Sequence, residues 1–118
     1  MKISKIKELL QATVWCGEDQ LDREIYSAFG SDMMSDVLAY VKEQAVLLTG
    51  LVNAQVIRTA EMMDMFCIVF VRSKQPTPDM IELAKESGIT VLSTEKRMFE
   101  TCGILYCNGL VRNGDLYE

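Results

Sequence analysis

Three short apolar runs constrain this chain more than anything else in it: AVLLTG at residues 45–50, CIVFVR at 67–72 and TVLST at 90–94. Runs of this kind read as strands buried on both faces, and such a sheet needs helices on each side. Between the first two runs, Val56, Ile57, Ala60 and Met63 share one helical face behind Asn53, which can cap that helix. Arg58 and Glu61, three apart, can pair on its outer side. Between the second and third runs, Thr77 is a cap, Pro78 takes the first helical position and Gly88 stands where a left-handed residue is wanted, which predicts a helix over 78–87. Strand and helix alternate from residue 45 onward, and connections this short imply right-handed crossovers between parallel strands. The expected class is α/β: a three-layer α/β/α domain with a mostly parallel sheet.

The flanking segments are less regular. Ile3, Ile6, Leu9 and Leu10 recur at helical spacing and predict an amphipathic helix over 2–12 that packs on the domain or joins a partner. TVWC at 13–16 and EIYSAF at 24–29 read as strands around the polar turn GEDQLD. Ser35 and Asp36 mark a helix N-terminus, followed by a buried stripe of Val37, Leu38 and Val41. Met98, Phe99, Cys102, Leu105 and Tyr106 define one side of a last helix that Gly109 ends, and residues 111–118 read as a loose tail. The whole, 1–118, suits one domain.

Composition narrows the function. Twelve Lys and Arg against 17 Asp and Glu give a formal charge of -5, a field that repels nucleic-acid polymers and anionic membranes. No run approaches ~20 apolar residues, so a cytoplasmic protein without a membrane span is expected. The chain has no histidine, which excludes imidazole ligation and histidine general-base catalysis. Cys16, Cys67, Cys102 and Cys107 lack the short paired spacing of metal sites and read as buried free thiols. No metal or cofactor is expected. Asp32 and Asp36, four apart beside Ser31 and Ser35, could hold a hard cation, although helix-start chemistry explains them more simply. Adjacent methionines such as Met33–Met34 and Met62–Met63 cannot both point inward, so one of each pair can face a partner.

In a parallel sheet, ligands sit beyond the carboxyl ends of the strands. Here those ends are Thr49-Gly50, Arg72-Ser73-Lys74 and Ser93-Thr94, which offer hydroxyls and cations in an acidic chain. With Asn53 and Arg58 they form a candidate site for a nucleotide or phosphorylated metabolite. The alternative is that the hydroxyls only cap helices and the cations are only solvated. No glycine-rich phosphate loop accompanies them.

The blocks SDMMSDVLAYV, LLTGLVNAQVIRTAEMMDM, IVFVRSKQPTPDMIELAKESGITVLST and MFETCGILY, in that order over about residues 24–110, resemble a stand-alone DRTGG-domain protein. The resemblance implies a fold like the amino-terminal domain of HPr kinase/phosphorylase and a regulatory or associative role, as in CBS-domain pyrophosphatases and phosphate acetyltransferases. It departs from the family at the name-giving letters. The Asp-Arg positions fall near Leu51-Val52 and the Thr-Gly-Gly positions near Val71-Arg72-Ser73. Together these readings predict a non-catalytic module, a homodimer that docks on a partner enzyme or signalling protein, or alternatively a sensor of a nucleotide or phosphorylated metabolite. As an enzyme, its best nucleophile would be Cys102, with no base nearby in sequence.

Overall fold

The computed structural model describes residues 1–41 and 44–110; the tail expected at 111–118 lies outside the described residues. Five strands, β1 (Thr13–Cys16), β2 (Ser27–Gly30), β3 (Ala45–Thr49), β4 (Cys67–Phe70) and β5 (Thr90–Ser93), form one sheet in the order β1-β5-β4-β3-β2. β2 to β5 are parallel and β1 is antiparallel to β5. The helices are α1 (Ile3–Leu10), α2 (Met34–Tyr40), α3 (Ala54–Met62), α4 (Pro78–Ser87) and α5 (Met98–Cys107).

Period-two alternation sorts the strand side chains into two cores. Leu47, Ile68, Phe70 and Val91 point to the side where Val37 of α2, Val56 and Ile57 of α3, and Met80 and Ala84 of α4 pack. Val46, Leu48, Val69 and Leu92 point to the other side, against Ile3, Ile6 and Leu10 of α1 and Leu105 of α5. All residues of β3, β4 and β5 are buried, as the apolar runs require. Each fully buried Leu, Ile or Phe contributes about 1.5–3 kcal/mol, so these strands and the helices over them supply most of the fold's stability.

Local signals place the helix starts. Asn53 Oδ1 accepts from the Val56 N–H at 3.2 Å and Thr77 Oγ1 from the Met80 N–H at 3.3 Å, while Gly88 takes the left-handed C-terminal position at φ 71°. The strands expected at 13–16 and 24–29 both join the main sheet, at its opposite edges. Other expectations are corrected. β2 begins only at Ser27, because Ile25 N–H is taken by Met1 O and Glu24 bridges Lys2. α2 starts at Met34, one residue before Ser35, and the hydroxyl in use is that of Ser31, which accepts from Met33 N–H at 2.9 Å. Leu38 is exposed instead of part of the buried stripe, and Phe99 and Tyr106 are exposed while Thr101 and Leu105 form the inner face of α5. Among the described residues no ion pair joins Arg58 to Glu61. Of the four free thiols, Cys16 and Cys67 are buried, Cys102 is partly buried and Cys107 is exposed.

The segment leaving β1 turns through Gly17 at φ 84°, where an added Cβ would overlap the Cα and side chain of Thr90, and Gly17 O accepts from Thr90 Oγ1 at 3.2 Å. Gly17→Ala is therefore expected to lower stability by more than the ~1–2 kcal/mol of left-handed strain alone, seen as a lower midpoint in urea unfolding with an unchanged slope.

Candidate functional site

The three crossovers β2-α2-β3, β3-α3-β4 and β4-α4-β5 all lie on one face, whereas the chain leaving β5 turns to the opposite face to form α5. The loops after β4 and β5 therefore head for opposite faces, although their first residues stay joined by Arg72 N–H to Lys96 O and Ser73 N–H to Thr94 O, and a crevice lies beside them at the carboxyl ends of the strands. It measures about 400 Å³, within the usual range for a small-molecule site. Ser73 and Gln75 line it from the β4 loop, and Ser93 to Lys96 from the β5 end. Thr13 and Trp15 of β1, Leu10 and Gln11 at the end of α1, and Glu100 of α5 close the remaining sides.

Several lining groups are already engaged. Trp15 Nε1 donates to Ser93 Oγ at 2.8 Å, which fixes the indole against the crevice wall. Thr94 Oγ1 donates to Leu10 O at 2.8 Å and accepts from Lys96 N–H at 3.3 Å, tying the end of α1 to the β5 loop. Lys96 Nζ lies 3.8 Å from Glu100. With Glu95 also on the rim, the crevice carries two carboxylates and one ammonium.

The other half of the expected site is a separate cluster at the ends of β2, β3 and β4. Asp32 is its centre: Oδ1 accepts from Thr49 Oγ1 at 3.0 Å and from Gly50 N–H at 2.8 Å, and Oδ2 lies 3.8 Å from the Arg72 guanidinium. The guanidinium covers Gly50 so closely that a Cβ there would overlap it. Arg72 and Ser73 both have φ near 60°, the left-handed region, without being glycine. Such a turn can present successive N–H groups to an anion. Here all three are used, by Arg72 to Lys96 O, Ser73 to Thr94 O and Lys74 to Val71 O.

The nine residues expected as one site thus divide. Ser73, Ser93 and Thr94 line the crevice. Thr49, Gly50 and Arg72 belong to the Asp32 cluster, Asn53 caps α3, and Arg58 and Lys74 are exposed outside the crevice. The sequence reading missed Trp15, Gln75, Lys96 and Glu100, because β1 and α1 reach this end of the sheet only through long-range pairing. Asp32 is engaged by Thr49, Gly50 and Arg72, Asp36 lies in the first turn of α2, and no group of three His, Cys, Asp or Glu gathers among the described residues. Burial raises the Cys67, Cys102 and Cys16 thiol pKa values, which leaves little thiolate at neutral pH.

The DRTGG domain family matches residues 5–106. This chain belongs to the DRTGG-domain family. The match begins before the block at residue 24 and takes in α1 and β1, the elements that close the crevice. The fold of this DRTGG domain is similar to a crystal structure of the CBS and DRTGG domains of the regulatory region of Clostridium perfringens pyrophosphatase, complexed with the activator diadenosine tetraphosphate. The TM-score is 0.73 at 18% identity, over 88% of this chain and 45% of that one, so this chain spans less than half of that structure's length. No curated protein sequence matches.

Two outcomes follow for the DRTGG domain. Asp32→Ala deprives the buried Thr49 hydroxyl and the Gly50 N–H of their acceptor and is expected to cost about 1–3 kcal/mol, whereas Arg72→Ala removes only a half-exposed ion pair worth up to ~1 kcal/mol. Equal losses in chemical denaturation would mean that the ion pair, not the hydrogen bonds, joins the strand ends. In thiol labelling of the native protein, Cys107 is expected to react first, Cys102 slowly, and Cys16 and Cys67 only on unfolding.

Proposed function

We propose that this DRTGG domain is a regulatory module that senses a small ligand in the crevice between the β4 and β5 loops and performs no chemistry of its own. The observation that carries the reading is a crevice of ligand size at the strand ends, next to the aromatic wall of Trp15. Family membership supports the regulatory part, and so does the pyrophosphatase region of similar fold, described as regulatory and as complexed with a dinucleotide activator. The thiols support the absence of catalysis: Cys102, the best nucleophile by sequence, is partly buried and held in its protonated form.

The lining chooses among ligands. Gln11, Ser73 and Gln75 offer hydrogen bonds and Trp15 offers a planar apolar surface, which suits a nucleobase and its ribose. A polyphosphate is poorly served, since Lys96 is outnumbered by Glu95 and Glu100 and the left-handed turn has no free N–H. A nucleoside or nucleotide would therefore seat its base in the crevice and leave its phosphates in solvent. Because α1 and α5 both reach the crevice rim, occupancy would bias how these helices meet a partner enzyme or signalling protein.

The test uses the sole tryptophan of the chain, Trp15, as a reporter. Titration with nucleosides and nucleotides, with and without magnesium, is expected to change its fluorescence and raise the thermal midpoint, through a stabilisation of about 2.7 kcal/mol at a hundred times the dissociation constant. Gln75→Ala should weaken both responses and Arg72→Ala neither. A thermal shift without a change at Trp15 would place the ligand elsewhere, and no response across the panel would remove the sensor reading.

A further inference from the structure

β2 is an edge of the sheet among the described residues. Ser27 and Ser31 donate their N–H groups inward, to Gln44 O and Leu48 O. By the alternation of a strand, Ala28 and Gly30 then turn their N–H and C=O outward. Edge strands are guarded by being very short or by a lysine, a proline, a bulge or a charge; β2 is short, at four residues, but the sequence SAFG carries none of the other guards. Its flanks are apolar: Tyr26 and Met33, just before and after the strand, are 59% and 60% exposed, and on α5 Phe99 and Tyr106 are 91% and 59% exposed. The flank to which these α5 residues belong can be read from their neighbours. Cys102 Sγ and Met98 Sδ lie over Gly30, while Glu100 lines the crevice on the far side of the helix. Phe99 and Tyr106 fall within about 60° of Cys102 around the axis, so they overhang the β2 edge.

We infer that this edge receives a second copy of the chain, adding antiparallel about a twofold axis beside Phe29, so that Ala28 faces the partner's Gly30 and the sheet continues from one protomer into the next. A twofold requires a surface complementary to itself. An antiparallel strand edge meets that condition, because each outward N–H and C=O finds the same groups reversed in the partner. The uncharged strand lets two chains of net charge -5 meet without like charges at the axis, where a chain with a charged edge would be repelled. The exposed apolar area supplies the larger part of what a stable dimer needs. At ~150–250 Å² per aromatic side chain, Tyr26, Met33, Phe99 and Tyr106 expose on the order of 500 Å² per protomer, to which the strand backbone adds. A standard interface takes about 800 Å² from each partner.

Analytical ultracentrifugation of the full chain, from nanomolar to high micromolar, tests this beside two variants. Phe99→Arg alters an exposed side chain, and Ala28→Pro removes an outward N–H that makes no bond to β3. The wild type is expected to sediment as a dimer at micromolar concentration, and Phe99→Arg to raise the dimer dissociation constant at least roughly tenfold with unchanged circular dichroism. Ala28→Pro should do the same; if it fails to fold, Phe99→Arg decides. A wild type that stays monomeric throughout, or a dimer indifferent to Phe99→Arg, overturns the proposal. So does a dimer lost on deletion of residues 111–118 but retained in Phe99→Arg, since that segment would then form the interface.

Discussion

A sheet with no solvent face has nowhere to put polar groups except at the ends of its strands. β3, β4 and β5 are buried along their whole length, so Thr49, Thr90, Ser93 and Thr94 carry the hydroxyls of the central sheet, and all four are buried. Each is satisfied from outside its own strand, by Asp32, Gly17 O, Trp15 or Leu10 O. Leaving one buried donor unpaired costs about 1–3 kcal/mol, which explains why residues far apart in sequence converge on these ends. The crevice and the Asp32 cluster are two results of the same requirement.

The central architecture was legible because its signals are local. The apolar runs mark β3 to β5, and Asn53, Thr77-Pro78 and Gly88 mark helix ends through bonds spanning at most five residues. Asp32 was not legible as a hub, since its partners Thr49, Gly50 and Arg72 come from two other strand ends and helix-start chemistry explained it equally well. The inner face of α5 was not legible either. Its apolar residues surround most of the helix, so periodicity alone could not say that Leu105 faces inward and Phe99 outward. The placement of β1 escaped for a topological reason: a polar turn between two strands suggests a hairpin, but residues 17–26 instead carry the chain between opposite edges of the sheet. Arg23 stacks over the Phe66 ring on that path.

The turn after β4 takes a shape that its own side chains disfavour. Arg72 and Ser73 are both left-handed here without being glycine. Glycine adopts that conformation without the steric cost borne by other residues. This chain holds the turn without glycine, by three backbone hydrogen bonds and the Asp32–Arg72 contact.

The antiparallel β1 also governs the order in which the molecule can form. Residues 3–16 leave the ribosome before residues 90–107, yet they find their partners there: β1 pairs with β5, and α1 packs on α5. The hydrogen bonds from Trp15 to Ser93 and from Thr94 to Leu10 span 78 and 84 residues. Closing loops of that length precedes their reward and slows folding. Until β5 emerges, the apolar face of α1 lacks the strand and helix that later cover it, a period in which a nascent chain is open to chaperones and to aggregation.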